Sequence, residues 1–347
     1  MAKHLFLAST PFNVLTAAMV ALELPHGDTA ELGLIDQTDT TQTFRQALQN
    51  WQGTPFARTE VLSSKATGSG KRQQRQLSFK WIQQRLTDLQ PDWIYTGNDR
   101  RIEFQFAMAH SHARGVYLDD GTYSYLGRKT HWLKDRILDN IAKKVAYGWW
   151  WKQPATIGAS DWIDHSVLAF PEFALPALKK RPCLTLPDNL QRPEFAELAR
   201  ICLGKTDTAI DQLQGLLLLP HSSVISPMQK VLGEWLDHSG NSIGYKHHPR
   251  TEQALTTAEQ MTSLWHIPLR AIAVPASTPM EILLPLLSPH CKIAGDVSTA
   301  LLTAKWLRPE LQVSALISPD TSAEWTSLLK QLGIECNTLP ANPDCNS

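Results

Sequence analysis

Short apolar runs alternate with longer amphipathic stretches along this chain. Residues 5–8 (Leu-Phe-Leu-Ala) form an apolar run of strand length, and Pro11 opens a helical pattern that reaches Leu22. Proline fits a first helical turn because the amide it lacks has no partner there. Residues 32–35 predict a second strand, 44–51 a helix, 71–89 a long helix, 93–95 a strand, 102–112 a helix and 115–118 a strand. A second series begins at 215–219, a run of Gly and four Leu that reads as a strand buried on both faces. Strands are expected at 242–245, 272–274, 291–294 and 313–317. Helices are expected at 227–238, 254–265, 279–287, 299–306 and 323–332.

Alternating strands and helices define a parallel sheet covered by helices. Two such series in tandem predict an α/β protein of two Rossmann-like domains facing a central cleft. Pro171, Pro176, Pro182, Pro187 and Pro193 accumulate between them. The expected organisation is an N-terminal domain over 1–175, a linker over 176–210 and a C-terminal domain over 211–347. The length of 347 residues suits two domains of ordinary size.

Composition narrows the function. Lys+Arg and Asp+Glu are both 33, so the chain has no overall basic field of the kind that nucleic-acid binding favours. The five cysteines are scattered without a Cys-x-x-Cys pair, which indicates neither a zinc knuckle nor a disulfide framework and suits a reducing cytoplasm. The N-terminus lacks the pattern of a signal peptide, and no apolar run approaches the roughly 18 residues of a membrane span. The expected location is cytoplasmic. The basic stretch 134–152 ends in Trp149-Trp150-Trp151 and has two readings. One is an amphipathic helix packed on the core, which is preferred. The other is a peripheral contact with the inner face of an anionic membrane.

Candidate chemistry gathers at predicted strand ends, where open α/β sheets bind ligands. Asp119-Asp120-Gly121 follows the strand at 115–118. Neighbouring side chains on an extended chain point to opposite faces, so one carboxylate is expected to face the cleft while the other holds the loop. This suits a single general base rather than a metal-chelating pair. Lys246-His247-His248-Pro249-Arg250 closes the strand at 242–245. Pro249 biases His248 toward extended backbone, and a cationic imidazole there can hydrogen-bond a phosphate and donate a proton as a leaving group departs. Lys246 and Arg250 add cations. Ser298 and Thr299 open a helix, where hydroxyls and free amides suit an anion or, more plainly, cap the helix. Glu281, after Pro279, is placed to grip ribose hydroxyls or to offset the helix dipole. Ser9, Thr10 and Asn13 lie in the first strand-to-helix loop, and Asn98 and Arg100 in the loop after residue 95. These are candidate acceptor contacts. Gly68-Ser69-Gly70-Lys71 is not a phosphate loop, because its upstream glycine position is Lys65 and Arg72 replaces the hydroxyl residue.

The ordered set Asp119-Asp120-Gly121, His248-Pro249 and Ser298-Thr299 resembles the acidic-acidic-Gly, His-Pro and Ser-Ser/Thr signatures of bacterial sialyltransferases and polysialyltransferases. Pro279-Met280-Glu281 and the Ser-Thr-Pro after the first strand are also similar. The resemblance implies the GT-B fold and inverting transfer from a CMP-activated nonulosonic acid to a glycan hydroxyl. It implies no metal and no cofactor. It makes Asp119 the base and His248 the acid at the leaving phosphate. Ser298 and Thr299 would hold that phosphate, and Glu281 the ribose. Lys246, Pro249 and Pro279 join the donor side, with Asp120 and Gly121 as acceptor-loop positions. Thr299 stands where some members have Ser, and Asp119-Asp120 where some have Glu-Asp. The donor stays open among Neu5Ac, legionaminic acid, pseudaminic acid and Kdo. Transfer of a polyol phosphate from a CDP-alcohol and non-catalytic binding of glycan intermediates are the competing readings.

Overall fold

The computed structural model describes residues 1–36, 42–63, 69–127, 139–204, 210–219, 235, 242–246, 270–275 and 278–339. The chain divides into two compact units, Met1–Asn189 and Leu190–Ser347. The stretch 176–210, expected as a linker, is divided between them: Cys183–Thr185 is a strand of the first unit and Pro193–Leu203 a helix of the second.

The first unit is built on a seven-stranded sheet. Its strands are β1 (Lys3–Ala8), β2 (Thr29–Asp36), β3 (Arg58–Ser63), β4 (Trp93–Thr96), β5 (Arg114–Leu118), β6 (Ile163–Leu168) and β7 (Cys183–Thr185). They lie in the order β3-β2-β1-β4-β5-β6-β7, and every pairing is parallel. The central strand β1 is buried from His4 to Ala8 because helices cover both faces of the sheet. Phe6 pairs in register with Leu32 on one side and Tyr95 on the other, and its ring stacks on Tyr95 at 4.2 Å. Helices α1 (Pro11–Ala21), α2 (Gln42–Asn50), α3 (Ser69–Asp88), α4 (Ile102–Ala109), α5 (Thr122–Tyr125) and α6 (Asp139–Tyr147) connect the strands. Leu5, Leu7, Ile82, Ile94, Phe104 and Leu168 belong to one continuous core.

The second unit carries α7 (Pro193–Leu203) and a six-stranded parallel sheet. Its strands are β8 (Gly215–Leu218), β9 (Ser242–Lys246), β10 (Arg270–Val274), β11 (Lys292–Asp296), β12 (Val313–Ile317) and β13 (Glu335–Thr338). The order is β10-β9-β8-β11-β12-β13. Helices α8 (Met280–Leu283), α9 (Thr299–Leu307) and α10 (Ala323–Gln331) complete it. Strand β12 is buried at all five positions, as its apolar run requires.

Elements that the pattern does not announce are β3, α5, β6, β7, α7 and β13. Strands β3, β7 and β13 are sheet edges with half-exposed residues, so their polar content hides the strand period. Strand β6 carries the polar pair Asp164 and His165 straight after its first residue, and the Asp164 carboxylate accepts from Gly115 N at 2.8 Å where the β5–β6 register shifts. The helices expected at 227–238 and 254–265 lie outside the described residues. Helix 279–287 is shorter than expected: α8 ends at Leu283, and a 3-10 turn, Leu284–Leu286, follows with Pro285 inside it. No described helix is long and apolar enough to cross a membrane.

Candidate active site

In each sheet the order in which strands are laid down reverses at one place. In the first unit the chain proceeds outward from β1 to β2 and β3, then returns to the other side of β1 to lay down β4, β5 and β6. The loops after β1 and β4 therefore diverge, leaving a crevice at the carboxyl ends of those strands. The second unit reverses in the same way between β8 and β11. Several sequence candidates lie in the loops at these two edges.

In the first unit the two adjacent carboxylates have different surroundings. Asp119 is buried, and both its oxygens are fully engaged. Oδ1 accepts from Gly121 N at 2.8 Å and from Ser124 Oγ at 2.8 Å. Oδ2 accepts from Ala169 N at 2.8 Å and from the Tyr125 hydroxyl in a very short bond. Burial raises the Asp119 pKa, opposed by these four donors. Gly121 is held at φ 77°, which lets the chain turn back over the carboxylate and enter α5. Asp119 thus organises the loop.

Asp120 is half-buried and differently placed. Its Oδ1 accepts one bond, from Asn13 Nδ2 at 3.0 Å. Among the described residues Oδ2 has no hydrogen-bond partner. Burial pushes its carboxyl up to about 7, with the Asn13 bond and the Arg101 charge pulling down and the Asp119 and Asp99 charges pushing up. A carboxyl with a pKa near neutrality and an open oxygen is suited to accept a proton at physiological pH.

Asn13 is fixed from both sides. Ser9 donates to its Oδ1 through N at 3.3 Å and through Oγ at 3.1 Å, which leaves Nδ2 to face Asp120. Thr10 caps α1 by accepting from Asn13 N at 3.1 Å. A Cβ on Gly97 would lie 2.1 Å from Asn13 Nδ2, so this loop after β4 admits only glycine beside the amide. Ser9, Thr10, Asn13, Asp119, Asp120 and Gly121 are thus joined in one network. Asn98 and Arg100 form their own turn, with Arg100 N donating to Asn98 Oδ1 at 3.1 Å. Asp99, fully buried, instead accepts from Gly158 N at 2.8 Å and Ser160 N at 2.7 Å. Ser124 and Tyr125 are not among the sequence candidates, while Gly97 and Arg101 lie in the loop that supplies Asn98 and Arg100. Arg101 is half-buried, its Nε has no hydrogen-bond partner among the described residues, and burial lowers its pKa. The Gly-Asn-Asp-Arg-Arg run marked that loop, but nothing in it singled out Arg101.

This wiring makes a prediction. The Asn13 bond lowers the Asp120 pKa, so Gly97→Ala, which displaces Asn13, raises it further. Carbon-13 titration of the carboxyl will show a midpoint above that of the wild type. An unchanged midpoint would mean that Asn13 does not set it.

In the second unit Lys246 ends β9, buried to 6% exposure, and its carbonyl accepts from Leu219 N at 2.9 Å. Burial lowers its pKa and raises that of Glu281, and the opposite charge of each restrains the shift of the other. Pro279 stands at the N-cap of α8 with extended backbone. Ser298 occupies the N-cap of α9 with extended backbone (φ −153°, ψ 163°), yet its side chain makes no capping hydrogen bond. The ordinary capping role is therefore unfilled there, while Thr299 begins the helix. His248 and Pro249 lie outside the described residues.

No protein-family model matches the chain, and no curated protein matches it. Solved structures share its fold. The UDP-GlcNAc 2-epimerase from Methanocaldococcus jannaschii superposes with a TM-score of 0.57 at 12% identity, over 99% of this chain and 89% of that one. Another UDP-N-acetylglucosamine 2-epimerase gives 0.54 at 11% identity, over 97% and 83%. The Neisseria meningitidis UDP-GlcNAc 2-epimerase bound to UDP-GlcNAc gives 0.52 at 10% identity, over 96% and 86%. Identities this low establish the fold alone: two parallel-sheet Rossmann-like units of the GT-B type.

Proposed function

We propose that this chain is an inverting, metal-independent glycosyltransferase that moves a nonulosonic acid from a CMP-activated donor to a glycan hydroxyl. The GT-B-type fold fits sugar transfer in general. The observation that carries the reading further is the division of labour within Asp119-Asp120: one carboxylate is saturated by four donors, and its neighbour is left open with a pKa near 7. A binding module has no use for a poised base. The base is accordingly Asp120 rather than Asp119, a change from the role that the sequence resemblance implied.

In this reaction Asp120 takes the acceptor hydroxyl proton as that oxygen bonds to the anomeric carbon. The bond from that carbon to the phosphate oxygen breaks, and CMP leaves with the electron pair. The donor centre is tertiary and carries a carboxylate, so its transition state has oxocarbenium character and neutralising the departing phosphate matters most. The amides opening α9, the uncommitted Ser298 hydroxyl and Thr299 supply that on the second unit, with Lys246 adding positive charge. Glu281 takes the ribose. His248 keeps the acid role assigned by the resemblance.

Incubation with CMP-linked Neu5Ac, legionaminic acid, pseudaminic acid and Kdo, with CDP-glycerol and with UDP-GlcNAc, followed by mass spectrometry, tests this. Release of CMP with a glycan gaining one nonulosonate is expected. CMP release and polyol phosphate transfer from CDP-glycerol, or epimerised UDP-GlcNAc, would replace the proposal. Ser298→Ala is expected to weaken CMP binding about tenfold by calorimetry while leaving the melting temperature unchanged, because no cap is lost. A lower melting temperature with normal CMP affinity would make Ser298 a structural residue.

A further inference from the structure

Helix α6 is built inside out. Ile141 and Val145 are one turn apart and 55% and 81% exposed, and Trp149, in the turn that follows, is 86% exposed. These are three of the seven large apolar side chains that stand exposed among the described residues, gathered within nine positions. The lysines between them are drawn to the flanks. The Lys143 ammonium lies 4.6 Å from the Trp151 ring centre, and that of Lys144 lies 5.7 Å from Trp149. A solvated helix does the reverse, turning lysines outward and apolar side chains in. The preferred sequence reading, a helix packed on the core, fits Trp151, which is buried at 1%, but not this outer face.

The platform is firmly mounted. Trp151 N donates to Gly148 O at 3.2 Å, closing the turn after α6. The Gln105 side chain then clamps Lys152 in both directions, Nε2 to its carbonyl and Oε1 to its amide, each at 2.8 Å. Arg75 of α3 bonds the Tyr147 hydroxyl at 2.5 Å and lies over its ring. Trp149 therefore projects from a braced turn.

Charge identifies the occupant. The chain as a whole is neutral, yet residues 139–152 hold three Lys against one Asp, and α3 holds five Lys or Arg against Asp88 alone, of which Arg85 is buried and paired with Glu31 and Asp88. An apolar ridge with an indole at its end and lysine stems on its flanks is suited to the boundary between headgroups and acyl chains, where lysines reach back to lipid phosphates. We propose that α6 and the turn after it form a docking surface for an anionic lipid bilayer. This rests on exposure and charge in the first unit and is independent of the sugar donor.

Co-sedimentation of the full chain with phosphatidylglycerol–phosphatidylcholine vesicles, and with phosphatidylcholine alone, tests it. Binding is expected to the mixed vesicles only, and to weaken as salt rises toward about 0.15 M, where the screening length is about 8 Å. Val145→Glu and the pair Lys143→Glu, Lys144→Glu are each expected to lower the bound fraction about tenfold, with circular dichroism unchanged. Equal binding to neutral vesicles, no binding, or undiminished binding by Val145→Glu would overturn the proposal. So would a concentration-dependent dimer in sedimentation velocity that Val145→Glu dissolves, which would make the face a contact between copies of this chain.

Discussion

Asp120→Asn is expected to lower the transfer rate by about three orders of magnitude and, at mildly alkaline pH, to raise the melting temperature. Both effects come from one carboxyl. As the proposed base, Asp120 must hold an open, ionised oxygen. Asparagine keeps an oxygen toward Asn13 and removes the proton acceptor. For stability, the folded-state pKa of about 7 lies above the unfolded value of 3.8. The folded chain therefore binds this proton more tightly, and the contribution of Asp120 to stability falls as pH rises between those two values. Asparagine does not titrate, so the gain in melting temperature over wild type grows from pH 4 to pH 7 and levels off above. The rate of the wild type should follow the same ionisation, with kcat/KM rising on an acid limb near pH 7. Wild-type turnover in Asp120→Asn would remove the base from this position.

Asp119→Ala is expected to act through the fold. It leaves two amides, from Gly121 and Ala169, and two hydroxyls, from Ser124 and Tyr125, facing a cavity without their acceptor. Each buried donor without a partner costs about 1–3 kcal/mol. Relaxation and entering water recover part, so a net loss of about 4 kcal/mol is expected in urea unfolding. Asp119→Asn fares little better, because its amide would meet a donor on whichever oxygen it replaced. The two aspartates therefore separate cleanly: one substitution removes activity in a stable protein, the other removes stability. A stable, inactive Asp119→Asn beside an active Asp120→Asn would exchange the two roles.

Much of the fold was legible in the linear pattern. Central strands such as β1, β8 and β12 are short apolar runs because both faces of a parallel sheet are covered, and helices such as α1 and α9 are opened by a proline and by a Ser-Thr pair. Edge strands β3, β7 and β13 escaped because half of each faces water. The candidate site was legible as a set of loops. Side-chain alternation also required that one of Asp119 and Asp120 hold the loop while the other stays free.

Which aspartate does which was not legible, because the deciding groups are remote in the chain. Ala169 lies 50 residues from Asp119, and Asn13 lies 107 residues from Asp120. The exposure of Ile141, Val145 and Trp149 was hidden for a related reason: an amphipathic period gives the angle between faces, and only the packed neighbours decide which face is covered. The sequence alone determined two α/β series and the loops at their strand ends, since backbone pairing and burial leave a periodic trace in the residues themselves. The tertiary structure decided which carboxylate remains open and which helix face is bare, since hydrogen bonds and contacts between distant segments leave no such trace.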